Sequence, residues 1–152
     1  MQTRRQHLQQ TAIVAGMLAS TGLFPQFAHA AFNKAAFDAK SIADALKAYG
    51  AAAPTESKDV TITAPDIAEN GAVVPLGAST SLTNVKQLLI LVEKNPSTLV
   101  AMFHMSDSIE PTVSTRAKMG QSSDVYAVAI TADGKALFAK KEVKVTLGGC
   151  GG

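Results

Sequence analysis

The sequence predicts a mainly β protein, an Ig-like antiparallel β-sandwich with a short N-terminal helix and a flexible C-terminal arm. Apolar residues alternate along several short segments, which is typical of half-buried strands. Turn signals such as Asn70-Gly71 and Asp133-Gly134 separate these segments at intervals of roughly 8–12 residues, as in sandwiches. The arm is predicted by the last five residues, Gly148-Gly149-Cys150-Gly151-Gly152, because glycine loses the most conformational entropy when it is held still.

Residues 1–30 have the composition of an export signal. Arg4 and Arg5 precede an apolar stretch over residues 11–27, and the small residues Ala28 and Ala30 form a cleavage site. The paired arginines indicate a twin-arginine-type signal peptide and a periplasmic protein. The apolar stretch is shorter than the ~20 residues that span a bilayer, so we expect no stable membrane insertion after cleavage. The alternative is an N-terminal membrane anchor.

The charge balance gives no reason to expect a nucleic-acid or membrane-surface partner. The chain has 14 Lys and Arg against 12 Asp and Glu. Arg4 and Arg5 account for this excess, so the protein without its leader carries no net charge. Binding to phosphate backbones or anionic lipids needs a basic surface.

Residues 31–57 are predicted to form a helical lead-in and a linker. Apolar residues recur at helical spacing from Phe32 to Tyr49, and Gly50 is a stop signal. Residues 51–57 contain alanines, Pro54 and small polar residues, which is typical of a linker.

Residues 58–147 are predicted to form the sandwich. The strands are expected at residues 59–64, 72–76, 85–92, 98–105, 111–119, 124–131, 136–139 and 142–147. Along 124–131, Val125, Ala127 and Ala129 are expected on one face. Tyr126, Val128 and Ile130 are expected on the other. The apolar run Val85–Val92 has some helical character, but its length and the Asn95-Pro96 that follows favour a strand.

Cys150 is the only cysteine of the chain. In an exported protein a single cysteine indicates an intermolecular bond or a reactive thiol. The last predicted strand, with Val143, Val145 and Leu147 facing inward, runs directly into Gly148. We therefore expect the thiol to be held at its root by the sheet and to be free beyond it.

The sequence supplies little that would make this thiol catalytic. A catalytic cysteine needs a positioned base and a site that stabilises the developing charge. The one histidine after the leader is His104, and an ordinary strand histidine is the simpler interpretation. No ligand cluster indicates a metal, no nucleotide motif indicates a cofactor, and Asp107, Glu110 and Asp124 are scattered in predicted loops. Methionines 102, 105 and 119 are interpreted as core or interface filler. A reactive group without catalytic residues describes a carrier.

These features together resemble the Y subunit of the Sox thiosulfate-oxidising system, the SoxY family. The resemblance covers the whole chain, from the twin-arginine-like leader to the terminal Gly-Gly-Cys-Gly-Gly. It implies a heterodimer with a Z subunit, SoxZ. It also implies that the haem-containing SoxAX couples thiosulfate to Cys150 and that SoxB hydrolyses sulfate from the adduct. SoxCD, where present, oxidises the remaining sulfur. Gly148, Gly149, Gly151 and Gly152 would form the arm that carries these thiosulfate-derived species.

Three other interpretations of the terminal residues stay open. An envelope domain could use Cys150 to link two copies by a disulfide. A sulfur carrier could form a thiocarboxylate on Gly152, and a thiol enzyme could use Cys150 directly. The Z-subunit surface is also open, with Val85–Val92 and Thr98–Met105 as candidate apolar strands that could equally be core.

Overall fold

The computed structural model describes residues 33–146. The predicted signal peptide and the predicted arm lie outside these residues. The chain divides into two units, residues 1–32 and residues 33–152, and everything described below belongs to the second. Within residues 33–146, no helix combines the length and apolar character needed to cross a membrane.

Two short helices take the place of the single predicted helical lead-in, which is therefore wrong in detail. Helix α1 spans Lys34–Asp38 and helix α2 spans Ile42–Ala48. Ala39 adopts an extended conformation, with ψ of 137°, and Ser41 begins α2 by accepting a hydrogen bond from the Asp44 N–H at 3.1 Å. An N-cap of this kind satisfies a backbone donor that the helix leaves unpaired.

Within residues 33–146, nine strands form two sheets. They are β1 (Thr55–Glu56), β2 (Val60–Thr63), β3 (Ile67–Ala68), β4 (Val74–Thr80), β5 (Val85–Val92), β6 (Leu99–His104), β7 (Thr112–Ala117), β8 (Ser123–Thr131) and β9 (Ala136–Val145). The larger sheet has the order β1-β9-β8-β5-β6, with β3 also pairing β9, and the smaller sheet has the order β2-β4-β7. The pairs are antiparallel except those of β1 and β3 with β9. The predicted mainly β sandwich is confirmed.

The larger sheet is covered on both faces. Val125, Ala127 and Ala129 of β8 pack in the core between the two sheets. Val128 and Ile130 pack in a second core beneath the two helices, and Tyr126 lies against it. The alternation predicted along β8 is therefore present: one face of the strand packs against the smaller sheet and the other against the two helices. The same burial explains the apolar run of β5, in which Leu88–Val92 are all buried, since a strand covered on both faces has no polar side.

Three element predictions need correction. The separate strands at 136–139 and 142–147 are one strand, because Lys140 and Lys141 stay paired with Tyr126 and Val125 of β8. The predicted linker contains β1, which pairs in parallel with Leu137 and Phe138. Strand β3 was not predicted, and it contributes only two residues to β9. The inward position of Leu147 falls outside the described residues, whereas Val143 is fully buried as expected.

Candidate functional site

The predicted site residues lie outside the described part of the chain. This applies to Cys150, to the arm residues Gly148, Gly149, Gly151 and Gly152, and to the signal residues Arg4, Arg5, Ala28 and Ala30. The structure instead describes the strand end that these arm residues follow. We call Lys144 and Val145, the last residues of β9, together with Thr146 the arm root.

The backbone of the arm root is fully hydrogen-bonded on its donor side. Pairing of β8 with β9 ends at Ser123 opposite Val143. Beyond that point Lys144 donates to the Asp66 carbonyl at 3.0 Å and Thr146 to the Ala68 carbonyl at 3.1 Å. Between them, the Val145 N–H donates to the Ser122 hydroxyl at 2.9 Å. Three successive residues are thus fixed after the main ladder has ended.

An ion pair holds the β3 segment against β9. Lys141 Nζ lies 2.9 Å from Asp66 Oδ1 and donates to the Ala64 carbonyl at 2.7 Å. The hydrogen bond and charge of Lys141 lower the pKa of the Asp66 carboxyl. One lysine therefore binds two residues just before β3, the segment on which the arm root depends.

Gly71 permits the closest packing at the arm root. A Cβ atom placed on Gly71 would lie 2.4 Å from the Met119 carbonyl oxygen and 2.7 Å from Val145 Cγ1. The Met119 N–H donates to the Gly71 carbonyl at 2.7 Å, and Met119 is fully buried. The sequence predicted a turn at Asn70-Gly71, and Asn70 does accept from the Ala72 N–H at 2.9 Å. Gly71 is required for space, since its φ is not among the positive values.

His104 lies at the far end of the larger sheet from the arm root. It is the last residue of β6 and lies opposite Gln87, which pairs with Ile130 of β8. The arm root follows Val143, which pairs with Ser123. The seven residues from Ser123 to Ile130 span about 23 Å. The four residues from Thr146 to Cys150 extend at most about 14 Å, so His104 is not placed to act as a base for Cys150.

The acidic residues that the sequence singled out also lie apart. Asp124 is on strand β8 rather than in a loop, and its carboxylate pairs with Lys140 at 3.3 Å. Asp107 and Glu110 are exposed residues between β6 and β7. Among residues 33–146, no group of three or more His, Cys, Asp or Glu side chains is placed to hold a metal ion.

The described residues therefore define a class of protein: a β-sandwich whose last strand is hydrogen-bonded up to its final residues. The sequence model of the family described as "Sulfur oxidation protein SoxY" matches residues 45–150. A solved structure of the sulfur carrier protein SoxY from Chlorobium limicola f thiosulfatophilum is similar at 36% identity and a TM-score of 0.64, over 70% of this chain and 97% of that one. The chain belongs to the SoxY family. As a SoxY protein it is a carrier in sulfur oxidation and not an enzyme, and the predicted family is confirmed.

More distant structures share the fold. A superoxide reductase (neelaredoxin) variant from Ignicoccus hospitalis is 18% identical with a TM-score of 0.51, over 57% of this chain and 79% of that one. A putative superoxide reductase from Thermotoga maritima is 14% identical with a TM-score of 0.51, over 60% of this chain and 93% of that one. A fold does not determine an activity, and these likenesses concern the sandwich alone. No curated protein sequence matches the chain.

Sequence reasoning missed the residues that fix the arm root. Gly71 was interpreted only as a turn residue, and Ser122 and Ala68 were not singled out. These residues contact β9 across 23 to 78 positions of the chain. A glycine directly after an Asx-turn residue is ambiguous in sequence, since a turn and a close approach both favour it.

Proposed function

We propose that this chain is a periplasmic carrier in thiosulfate oxidation that holds its intermediates covalently on Cys150. The observation that carries the proposal is the arm root: three hydrogen-bonded residues end a long strand, and a glycine-flanked cysteine follows four residues after Thr146. A rigid root with a short, permissive tether lets several partner sites accept the same thiol.

The thiol needs partners for every chemical step. A cysteine thiol has a pKa of about 8.5 and reacts as the thiolate. In the proposed loading step, the thiolate and thiosulfate form a sulfur–sulfur bond, giving a cysteine S-thiosulfonate and releasing two electrons. The haem-containing SoxAX would accept both electrons. Water then attacks the terminal sulfone sulfur, so that sulfate and two protons leave and a persulfide stays on Cys150. That hydrolysis is assigned to SoxB, and oxidation of the remaining sulfur to SoxCD-type enzymes.

We further propose that the Z subunit, SoxZ, pairs with strand β6. Strand β5 is interior to the sheet and its apolar side chains are buried, which removes it as a candidate surface. Strand β6 lies at the sheet edge and contains no Lys, Arg, Asp, Glu or Pro. Edge strands of monomeric proteins are usually protected by such residues.

The backbone of β6 is also suited to pairing with another strand. The Met105 N–H donates to the Lys86 carbonyl at 2.9 Å. Because alternate residues of a regular strand turn their backbone groups to opposite sides, Met102 and His104 direct theirs away from β5, whereas Val100 lies at a register shift between β5 and β6. No described strand pairs with that side. A strand of the partner would satisfy these groups and extend the sheet.

The export route is part of the proposal. Arg4 and Arg5 would direct the chain to the twin-arginine pathway, with cleavage after Ala30. That pathway exports folded proteins, so one leader would carry the assembled heterodimer. The SoxY family places the chain in sulfur oxidation, which supports a periplasmic site of action.

Loading can be measured by intact mass spectrometry. The chain is incubated with thiosulfate, SoxAX and an electron acceptor, and the Cys150→Ser variant is treated in parallel. We expect one thiosulfate-derived group on the wild type and none on the variant, with unchanged circular dichroism. An adduct retained on Cys150→Ser would contradict the proposal. A disulfide-linked dimer without any adduct would favour the envelope-domain alternative.

A further inference from the structure

A groove lies beside the arm root. Its volume is about 540 Å³. It is lined by the turn at residues 95–97, the start of β6, the end of β7 and Gly120. Arg116 and Lys118 are the charged residues of the lining, and no lining residue is acidic. Leu99, Val100 and Pro96 supply apolar surface. A groove of this composition suits a small anion with an apolar sulfur portion.

The two cations of this groove are available to a ligand. Arg116 and Lys118 are both exposed. The ion pairs among residues 33–146 join Lys34 to Asp38, Lys135 to Asp133, Lys140 to Asp124 and Lys141 to Asp66. Arg116 and Lys118 belong to none of these pairs. Their charges are therefore not neutralised by a described carboxylate.

The groove and the arm root are direct neighbours. The position that a Cβ of Gly71 would occupy is 2.4 Å from the Met119 carbonyl oxygen and 2.7 Å from Val145 Cγ1, so these two atoms are no more than about 5.1 Å apart. Met119 stands between Lys118 and Gly120, which both line the groove. Asn95 Nδ2 donates to the Lys118 carbonyl at 2.8 Å and joins the two walls.

The arm is long enough to reach the groove. Cys150 is the fourth residue after Thr146, and a fully extended chain of four residues spans about 13–14 Å. Lys118 and Gly120, which line the groove, are the residues directly before and after Met119. The arm is therefore long enough for a thiol adduct on Cys150 to reach this wall of the groove.

We propose that an anionic sulfur adduct on Cys150 docks in this groove, with its sulfonate on Arg116 and Lys118. This inference rests on the proposed carrier function. The loaded arm is held against its own domain between encounters with partner enzymes, which shields the adduct from thiols in solution. The unloaded thiol is mostly neutral at pH 7 and is not retained.

Chemical loading tests the docking without any partner enzyme. Tetrathionate reacts with the Cys150 thiolate to form the cysteine S-thiosulfonate, and the electron pair of the broken sulfur–sulfur bond leaves with thiosulfate. Methyl methanethiosulfonate gives a neutral methyl disulfide on the same sulfur, with methanesulfinate leaving. The full chain is used as purified, and intact mass confirms each adduct before measurement.

Two variants test the groove. One carries Arg116→Gln and Lys118→Gln. The control carries Lys58→Gln and Lys86→Gln, two exposed cations outside the described ion pairs. Lys86 follows Val85, which pairs with Thr131 at the end of the larger sheet away from the arm root. Both double variants remove two positive charges, so a difference between them depends on position.

The anionic adduct is expected to shift the amide resonances of residues 95–97 and 117–120, and the neutral adduct is not. Removal of the S-thiosulfonate by dithiothreitol is expected to be about two- to fivefold faster in the groove variant than in the control, as for a solvent-exposed ion pair. Shifts confined to residues 143–146, equal shifts with the neutral adduct, or equal removal rates would overturn the docking. Because loading is chemical, that failure would leave the carrier proposal standing, and failure of SoxAX to load Cys150 would not affect the docking result.

Discussion

Gly71 and Val145 approach so closely that no side chain fits between them: a Cβ on Gly71 would lie 2.7 Å from Val145 Cγ1. Val145 is the last residue of β9 and stands five residues before Cys150. A residue in a turn therefore determines how tightly the end of the last strand is held. The rigidity at the base of the arm depends on contacts that the arm itself does not contain.

Replacing Gly71 by alanine is expected to lower the free energy of unfolding by about 1–3 kcal/mol, because the added methyl overpacks a closed site. The Met119 carbonyl is backbone and cannot move aside cheaply. Urea denaturation measures the change. Gly120→Ala is the matched control, since a Cβ there would have nothing within 4 Å. Equal stability of the two variants would show that Gly71 does not set the packing.

The Asp66–Lys141 pair predicts a pH dependence at the arm root. The pKa of Asp66 is lowered in the folded protein by Lys141. Its contribution to stability is therefore present above the unfolded pKa, about 3.9, and is lost as the pH falls through the folded value. The wild type is therefore expected to be more stable than Asp66→Asn at neutral pH. The difference between their free energies of unfolding should shrink as the pH falls below about 4.

Amide hydrogen exchange of Lys144 and Thr146 reports the same effect locally. Both residues donate to the β3 segment that Asp66 helps to hold. Asp107→Asn is the control, because Asp107 is exposed and lies between β6 and β7. A pH-independent difference between wild type and Asp66→Asn would contradict the ion-pair account.

Met102→Pro is expected to weaken pairing with the Z subunit by at least about tenfold. The Met102 N–H points away from β5, so proline removes a donor from the free edge without breaking the ladder. Ser114→Pro is the matched control, because β7 is also an edge strand and its Ser114 N–H also points outward. Isothermal titration with the Z subunit measures affinity, and circular dichroism checks the fold. Equal affinities would place the partner elsewhere.

Gly149→Val is expected to slow loading and every later step together, on the order of tenfold. A branched side chain beside the thiol widens the segment that all partner sites must admit. The measurement is single-turnover kinetics with SoxAX and SoxB separately, with Gly149→Ala as a milder control. Slowing of one enzyme alone would mean that the glycines serve a single partner.

The sandwich was predictable because its longer strands have clear patterns. Val85–Val92 was predicted with the observed limits, since its apolar run has the length of a strand and is followed by Asn95-Pro96. Strand β9 was divided in error because Lys140 and Lys141, which lie on opposite faces of the strand, interrupt its apolar alternation. The two-residue strands β1 and β3 were missed, since two residues are too few to show a period.

The candidate site was predictable only in part. The sequence identified the last strand as the base of the arm, and β9 does extend to Val145. It did not identify Gly71, Ser122 or Asp66, because their contacts with β9 join distant parts of the chain and leave no local pattern. The role of Cys150 stays a prediction. The contacts of Val145 and Thr146 show only how the end of the strand before it is held.

The most direct test is intact mass spectrometry of the protein purified from the envelope of its native host during growth on thiosulfate. The account predicts a chain that begins at Ala31 and carries a sulfur-containing group on Cys150, located by peptide fragmentation and removed by reduction. A chain whose Cys150 carries only a disulfide to a second copy, or no modification in cells that are oxidising thiosulfate, would contradict it.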